Sequence, residues 1–170
     1  IITATRTAAV TAVATKYMSR PDAKIGAFIG CGNQTRSQIE AVLRVRSLEK
    51  IHLFDLSKER ARSLANRFPD DWLKPVVHIN AVGADAEGKR ELHPSVLKNL
   101  DLIAYDEWVQ CSHSGEIQYS HELNEEQRSG QTWCPLSHLV GGAIDPCEHK
   151  QTLFDATGLA IEDVVTARLI

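Results

Sequence analysis

The sequence predicts an α/β protein with a doubly wound, mostly parallel sheet that carries helices on both faces. Two observations indicate this class. Short apolar runs bounded by turn residues alternate with longer segments in which apolar residues recur at helical spacing, as they do when helices connect parallel strands. The chain also has 170 residues, of which 43% are hydrophobic, and these values suit one globular domain and exclude a disordered chain.

Charge and hydropathy exclude two classes of partner. The net charge is −3, from 19 basic and 22 acidic residues, so no strong positive field exists for nucleic acid or an anionic membrane surface. No run of 18 apolar residues occurs, so we expect no membrane-spanning helix. We expect a cytoplasmic location, since no secretory signal precedes the first predicted helix.

Predicted strands and helices follow each other along the chain. The segments with the short apolar pattern of strands are 24–30, which we expect to be buried, 51–55, 76–82, 102–105 and 152–155. The segments with the spacing or the caps of helices are 5–20, 34–47, 57–68, 94–99 and 159–170. Residues 107–142 predict short helices joined by polar connections.

A glycine-rich turn, Gly30-Cys31-Gly32-Asn33-Gln34-Thr35, follows the first predicted strand and opens the next helix. Gly30 permits a tight turn, and Gly32 lets the backbone approach a pyrophosphate at the helix N-terminus. Asp55 ends the second strand, 25 positions after Gly30, where a carboxylate binds ribose hydroxyls. This arrangement favours a Rossmann-like dinucleotide-binding domain. Because Thr35 replaces the third small residue of the pattern, the alternative is a simple tight turn with Asp55 as a helix cap.

Four segments resemble the ornithine cyclodeaminase, mu-crystallin and archaeal alanine dehydrogenase family. They are TATRTAAVTAVATKY (3–17), IGCGNQTRSQ (29–38), WLKPVVHINAVGADAEGKREL (72–92) and LFDATGLAIEDVVTARLI (153–170). The most specific pattern is HINAVGAD followed by GKREL. The resemblance implies a homodimeric Rossmann protein that binds NAD(H) or NADP(H) and transfers hydride at the α-carbon of an amino or imino acid. Asp55 favours NAD(H), since its carboxylate would repel a 2′-phosphate.

The resemblance also implies roles for single residues. Asp85 would be the catalytic acid/base, Arg6 would hold the substrate carboxylate, and Ala156 and Thr157 would lie at the substrate end. The residues expected to contact the cofactor are Gly30, Gly32, Asn33, Gln34, Asp55, Ile79, Asn80, Ala81, Val82 and Lys89. General chemistry agrees, because arginine offers a rigid fork to a carboxylate, and ligands of open α/β sheets bind just past the strand ends. The alternatives are a surface Arg6, a turn Asp85 and a solvated Lys89.

Cysteine and histidine residues crowd into one stretch, but they predict no metal site, because their spacings match no familiar zinc pattern. They are Cys111, His113, His121, Cys134, His138, Cys147 and His149. Cys31, inside the glycine-rich turn, is interpreted as a small filler residue rather than as a reactive thiol.

Departures from the family pattern affect the domain organisation. We expect residues 1–170 to form the dinucleotide-binding domain with a C-terminal helix. The family has an N-terminal dimerisation and substrate domain before the first helix, and a strand–helix–strand segment where residues 68–71 stand here. A parallel crossover needs about a dozen residues, so we expect the natural polypeptide to be longer than this sequence. Ala156 replaces the serine of most relatives, which bears on substrate choice.

The resemblance leaves the substrate and the reaction open. Ketimine or pyrroline-carboxylate reduction, alanine-type dehydrogenation and redox-neutral cyclodeamination all use hydride transfer at the α-carbon. An alternative of another class is a catalytically inactive, mu-crystallin-like protein that binds a nucleotide or another ligand. Asp85 and Arg6 favour the enzyme, because simple ligand binding requires neither.

Overall fold

Parallel strands form two sheets in the computed structural model, which describes residues 2–55, 77–84, 86–146 and 149–169. In one sheet β1 (Ile25–Ile29) pairs with β2 (Lys50–Phe54), and the other sheet has the strand order β3–β6–β4–β5. The strands of the second sheet are β3 (Val77–Ala81), β4 (Leu102–Tyr105), β5 (Thr132–Pro135) and β6 (Gln151–Asp155). Because the strands of each sheet run parallel, their carboxyl ends share one edge, where ligands of such folds bind.

Helices connect these strands. The longer helices are α1 (Ile2–Met18), α2 (Thr35–Leu43) and α7 (Ala160–Leu169). The shorter ones are α3 (Pro94–Lys98), α4 (Trp108–Ser114), a 3₁₀ helix (Glu116–Glu122), α5 (Glu125–Ser129) and α6 (Leu136–Val140). The helix predicted at 57–68 lies outside the described residues. None of the helices in the described ranges has the length and apolar character needed to span a bilayer.

Strand β4 shows that both faces of its sheet are covered. Leu102, Ile103 and Ala104 are all fully buried, although successive side chains of a strand point to opposite faces. Leu102 and Ala104 pack in a core cluster with Ala14 and Met18 of α1, whereas Ile103 packs in a second cluster with side chains of α3, α4 and the 3₁₀ helix. The predicted α/β class, with a parallel sheet between layers of helices, is confirmed.

Two predictions about strands are wrong. The strand predicted at 24–30 is not buried, since Ile25 and Ile29 are 56% and 67% exposed on the same face of β1. An apolar run shows that a strand could be covered on both faces, and it does not show that it is. The second error is β5, which lies within 107–142, where only short helices were predicted. A four-residue strand ending in Pro135 gives a weak sequence signal, and the sheet accommodates it because β5 is an edge strand.

Candidate functional site

The glycine-rich turn joins β1 to α2 and is closed by its own residues. Gly30 adopts φ +87°, a left-handed conformation that glycine tolerates best, and its N–H donates to the carbonyl of Phe54 at the end of β2, at 2.5 Å. The hydroxyl of Thr35 donates to the carbonyl of Gly30 at 2.6 Å. Thr35, which replaces the third small residue of the glycine pattern, therefore stabilises the turn and does not disrupt it.

Asp55, the predicted ribose contact, lies against this turn. Its Oδ2 accepts a hydrogen bond from the Cys31 N–H at 2.7 Å, so the carboxylate at the end of β2 is oriented by the backbone of the turn. Burial, and then the charge of Asp55, raise the pKa of the Cys31 thiol. A neutral thiol at this position agrees with Cys31 as a filler residue and disagrees with a reactive thiolate.

The surface in front of α2 has room for an anionic group. A Cβ added at Gly32 would meet no atom within 4 Å. Asn33 and Gln34 are exposed, and the Gln34 side chain does not cap the helix. The N–H groups at a helix N-terminus attract phosphate, and α2 presents this terminus beside Asp55. These residues fit the pyrophosphate and ribose of a dinucleotide.

The residues at the end of β3 face inward. Ile79 and Val82 pack against the two core clusters, and Ala81 is buried, with its carbonyl accepting from the Ala156 N–H at 3.0 Å. The Asn80 amide donates to the Thr15 hydroxyl of α1 at 3.1 Å, and its Oδ1 lies 3.1 Å from Nε2 of His78. The side chain of Asn80 therefore belongs to a polar network beneath α1, and its predicted cofactor contact stays a prediction.

Hydrogen bonds connect residues 89–92, in the segment after β3, to the 3₁₀ helix. Both carboxylate oxygens of Glu116 accept backbone N–H groups of this segment, from Glu91 at 2.6 Å and from Leu92 at 3.3 Å. The carbonyl of Lys89 accepts from the Gln118 amide at 3.1 Å. Asp85, the predicted acid/base, belongs to this segment by sequence but lies outside the described residues.

Arg6 of α1 lies at the loop between β6 and α7, where it contacts two carboxylates. Its Nη1 is 3.5 Å from Glu162 and its Nε is 3.4 Å from Asp163, both in the first turn of α7. The guanidinium also packs directly on Gly158, because a Cβ built there would lie 2.7 Å from Cζ of Arg6. The predicted substrate arginine is therefore a largely buried member of an ion-pair cluster.

The Arg6 guanidinium packs on Gly158, the residue that directly follows Ala156 and Thr157 in the chain. The predicted substrate roles of Arg6, Ala156 and Thr157 stay predictions. Ala156 is buried, and the N–H of Thr157 donates to Oδ2 of Asp106 at 3.0 Å. The hydroxyl Oγ1 of Thr157 is buried and has no hydrogen-bond partner in the described ranges. A buried hydroxyl without a partner is costly, so this atom is a candidate contact for a bound molecule.

Sequence reasoning missed two carboxylates at this edge, Asp106 and Asp155, which follow or end β4 and β6. Asp155 is fully buried, and its Oδ2 accepts the Ile117 N–H at 2.9 Å. Burial raises the pKa of Asp155 to about 7, and the nearby carboxylates of Glu116 and Asp106 add to this rise. The rule that selected Asp55, a carboxylate at the end of a strand, also selects these two residues.

Among the described residues, no three His, Cys, Asp or Glu side chains come together in a way that could hold a metal ion. The thiol of Cys111 donates to Asp106 at 3.0 Å, and burial raises its pKa. Burial also raises the pKa of Cys134, to about 11. Both thiols are therefore neutral at ordinary pH and serve packing.

Comparison with curated proteins finds several enzymes that align with nearly the whole of this chain. The alanine dehydrogenase of Archaeoglobus fulgidus is 28% identical over 205 residues, covering 99% of this chain and 62% of the relative. The ketimine reductase mu-crystallin of Macropus fuliginosus is 28% identical, with 100% and 62% covered. The ornithine cyclodeaminase of Agrobacterium tumefaciens is 29% identical, with 100% and 56% covered. The chain thus spans less than two thirds of the length of these relatives.

Solved structures and a family model agree with these relatives. An archaeal alanine dehydrogenase dimer with bound NAD has a TM-score of 0.82 and 28% identity, over 98% of this chain and 62% of the other. The Thermococcus litoralis Δ1-pyrroline-2-carboxylate reductase, in complex with NADH and L-proline, has a TM-score of 0.82 and 27% identity, over 99% and 63%. The model of the ornithine cyclodeaminase/mu-crystallin family matches residues 1–69 and 60–170. The resemblance found in the sequence is confirmed, and the chain belongs to the ornithine cyclodeaminase/mu-crystallin family.

Proposed function

We propose that this chain is the dinucleotide-binding part of an enzyme that transfers hydride between NAD(H) and the α-carbon of a small amino or imino acid. The observation that carries the proposal is the glycine-rich turn, with open space in front of Gly32 and the Asp55 carboxylate fixed beside it. The names of the relatives support it, since an alanine dehydrogenase, a ketimine reductase and an ornithine cyclodeaminase all act on such compounds.

The cofactor half of the site would use the turn and the end of β2. Gly30 and Gly32 would let the pyrophosphate approach the N-terminus of α2, near Asn33 and Gln34, and Asp55 would accept from the ribose hydroxyls. NAD(H), when bound, supplies or accepts the hydride. The relatives with bound NAD or NADH support this choice of cofactor.

The substrate half would use Arg6 for the carboxylate and Asp85 for proton transfer at the substrate nitrogen or at water. Thr157 would contribute its buried hydroxyl, which has no other partner in the described part of the chain. Because Arg6 already contacts Glu162 and Asp163 at 3.4–3.5 Å, a substrate carboxylate would share the guanidinium with them. An N-terminal dimerisation and substrate domain, a homodimer and a cytoplasmic location remain part of the proposal.

The ion pairs of Arg6 also favour a second candidate, a protein that binds the dinucleotide without turnover. Both candidates bind NADH, so only a turnover assay separates them. A suitable panel contains L-alanine, L-ornithine, L-lysine and L-proline with NAD, and cyclic and linear imino acids with NADH. Turnover is followed by NADH absorbance and, because cyclodeamination of L-ornithine or L-lysine is redox-neutral, also by ammonia release. The matched control is Asp85→Asn, which keeps the side-chain volume and removes the proton carrier.

We expect the wild-type protein to turn over at least one compound of this panel. Asp85→Asn should keep NADH affinity and lose about 10²–10⁴-fold in kcat. NADH binding without any turnover would overturn the enzyme proposal in favour of the binding protein. Equal turnover of the two proteins would remove Asp85 from the mechanism.

The Asp55 carboxylate should set the preference for NADH over NADPH. We expect Asp55→Ser to weaken NADH binding about tenfold or more, since a hydrogen bond to a charged acceptor is worth about 1.5–3 kcal/mol, and to weaken NADPH binding less. Fluorescence titration with both nucleotides measures the two dissociation constants. Asp55→Asn is the control, because its amide oxygen still accepts from the Cys31 N–H. Tighter NADPH binding by the wild-type protein would contradict the assignment.

A further inference from the structure

We propose that Asp106 is a positioning residue for the substrate-carboxylate site, because it fixes the β6–α7 loop (156–159) against which the Arg6 guanidinium packs. The inference rests on the proposed function, in which Arg6 binds the substrate. Among the described residues, Asp106 makes no hydrogen bond or ion pair with Arg6 or with Thr157 Oγ1, so it would act through the backbone of the loop.

Both oxygens of Asp106 are engaged in fixing the chain around it. Oδ2 accepts two consecutive N–H groups of the loop, from Thr157 at 3.0 Å and from Gly158 at 2.8 Å. Oδ1 accepts from the Glu107 N–H at 2.7 Å and from the Cys111 thiol at 3.0 Å. Donors face both oxygens, so an ionised carboxylate is the group that satisfies all of them.

The loop in turn determines where Arg6 lies. Gly158 has φ +89°, and a Cβ built on it would be 2.6 Å from Nη2 of Arg6, so the guanidinium rests on the bare backbone that Asp106 holds. The next turn of the chain supplies Glu162, which accepts from the N–H of Leu159 and contacts Nη1 of Arg6, both at 3.5 Å. A displacement of this loop therefore moves the surface under the guanidinium and the carboxylate beside it.

The same strands offer a matched control at their opposite ends. Asp101 precedes β4 as Asp106 follows it, and its Oδ2 accepts two consecutive N–H groups at the start of β6, from Lys150 at 2.9 Å and from Gln151 at 2.8 Å. In both anchors Oδ2 accepts from two consecutive backbone N–H groups. They differ in that only Asp106 anchors the end of β6 that carries Thr157 and Gly158.

The test compares Asp106→Asn with Asp101→Asn in the full chain. Donors face both oxygens of Asp106, so an asparagine there, with one acceptor oxygen, turns an NH₂ group toward a donor. At Asp101 both N–H groups donate to Oδ2, so the oxygen of an asparagine can still accept from both. Asp106→Asn should raise the KM for the amino or imino acid with the highest kcat/KM in the panel about tenfold, with the dissociation constant of NADH unchanged. Hydrogen exchange at the amides of residues 157 and 158 should become about tenfold faster or more. Asp101→Asn removes a charge at the opposite end of the same strands, and it should leave KM and the exchange at residues 157 and 158 unchanged.

Each outcome decides one question. Equal KM values for Asp106→Asn, Asp101→Asn and the wild type, with the wild type active, overturn the positioning role and leave the proposed function standing. An inactive wild type overturns the proposed function, and unchanged exchange at residues 157 and 158 in Asp106→Asn then overturns the anchoring as well. If Asp106→Asn does not fold, Asp106→Glu keeps the charge and displaces it by one methylene group. The same rise in KM is expected for Asp106→Glu, and an unchanged KM overturns the proposal.

Discussion

At the scale of single residues, Gly158 shows why one position of the candidate site admits only glycine. Its φ of +89° disfavours any L side chain, and a Cβ would also press on the Arg6 guanidinium. Gly142 separates these two effects, because it has φ +73° and open space around the position of a Cβ. We expect Gly142→Ala to lower the free energy of unfolding by about 1–2 kcal/mol, and Gly158→Ala to lower it by about 1–3 kcal/mol more.

Urea denaturation of both variants and the wild type measures this difference. Gly158→Ala should also weaken substrate binding, because the guanidinium must move away from the loop, whereas Gly142→Ala should leave it unchanged. Equal losses of stability in the two variants would show that Arg6 yields to the added methyl group without cost.

Single residues also show how far the sequence predicts the site. Asp55 is predicted to contact a ribose because a carboxylate that ends the second strand does so in dinucleotide folds. The structure places its carboxylate on the Cys31 N–H of the glycine-rich turn, and the ribose contact stays a prediction. Asp106 and Asp155 also stand at strand ends, but nothing in the sequence tells from which backbone N–H groups their oxygens accept, since those groups lie about 50 and 40 residues away along the chain. The inward direction of Asn80 depends on the packing of α1, which no local pattern specifies.

At the scale of elements, the C-terminus of α1 is held by a residue that follows a different helix, α2. Arg46 follows α2 and is buried, and its guanidinium donates to main-chain carbonyls near the C-terminus of α1. The acceptors are Thr15 at 3.0 Å, Lys16 at 2.8 Å, Ser19 at 2.8 Å and Arg20 at 2.9 Å. The last carbonyls of a helix have no partners within it, and a cation there also interacts favourably with the helix dipole. Arg46 is therefore a tertiary C-cap of α1.

We expect Arg46→Lys to lower the free energy of unfolding by about 2 kcal/mol. A lysine keeps the charge, but its compact ammonium cannot reach carbonyls that a planar fork spans. The matched control is Arg36→Lys on α2, because Arg36 is exposed and pairs, within the described part of the chain, with Glu40 one turn away at 2.8 Å. No measurable change is expected for this control. Urea denaturation measures both variants, and a loss in Arg46→Lys as small as that in Arg36→Lys would exclude the capping role.

Elements also show where sequence prediction succeeds and where it fails. The strand 102–105 is predicted with the bounds it has, because four apolar residues between polar neighbours leave little choice. In β1 the same kind of run predicts burial that does not occur, since burial depends on what lies against the strand. The helix α1 is predicted well from its alanine content. The sequence does not show which elements pack on its buried face of small residues, Thr7, Ala8, Thr11, Ala14 and Thr15. The helix packs on α2, β3, α6 and α7 and so joins the two sheets.

At the scale of the whole molecule, two inward-facing titratable groups give folding stability opposite dependences on pH. Burial raises the pKa of Asp155 from 3.8 to about 7. Between these values the folded protein keeps a proton that the unfolded chain has released, so stability falls as pH rises, by up to about 1.4 kcal/mol per pH unit. Burial lowers the pKa of His78 from 6.5 to about 4, so its contribution makes stability rise with pH over that range. The two contributions offset each other below about pH 6.5.

Replacing Asp155 by asparagine separates them. The amide oxygen of Asp155→Asn can still accept from the Ile117 N–H, and the variant has no proton to release, so only the rise with pH due to His78 should remain from these two groups. We expect the free energy of unfolding of the wild type, minus that of the variant, to fall as pH rises from about 4.5 to about 7 and to level off above about 8. Urea denaturation of the wild type and of Asp155→Asn at each pH measures it. A difference that stays constant across this range would mean that Asp155 titrates as an ordinary exposed carboxyl group, in contradiction to its full burial beside Glu116 and Asp106.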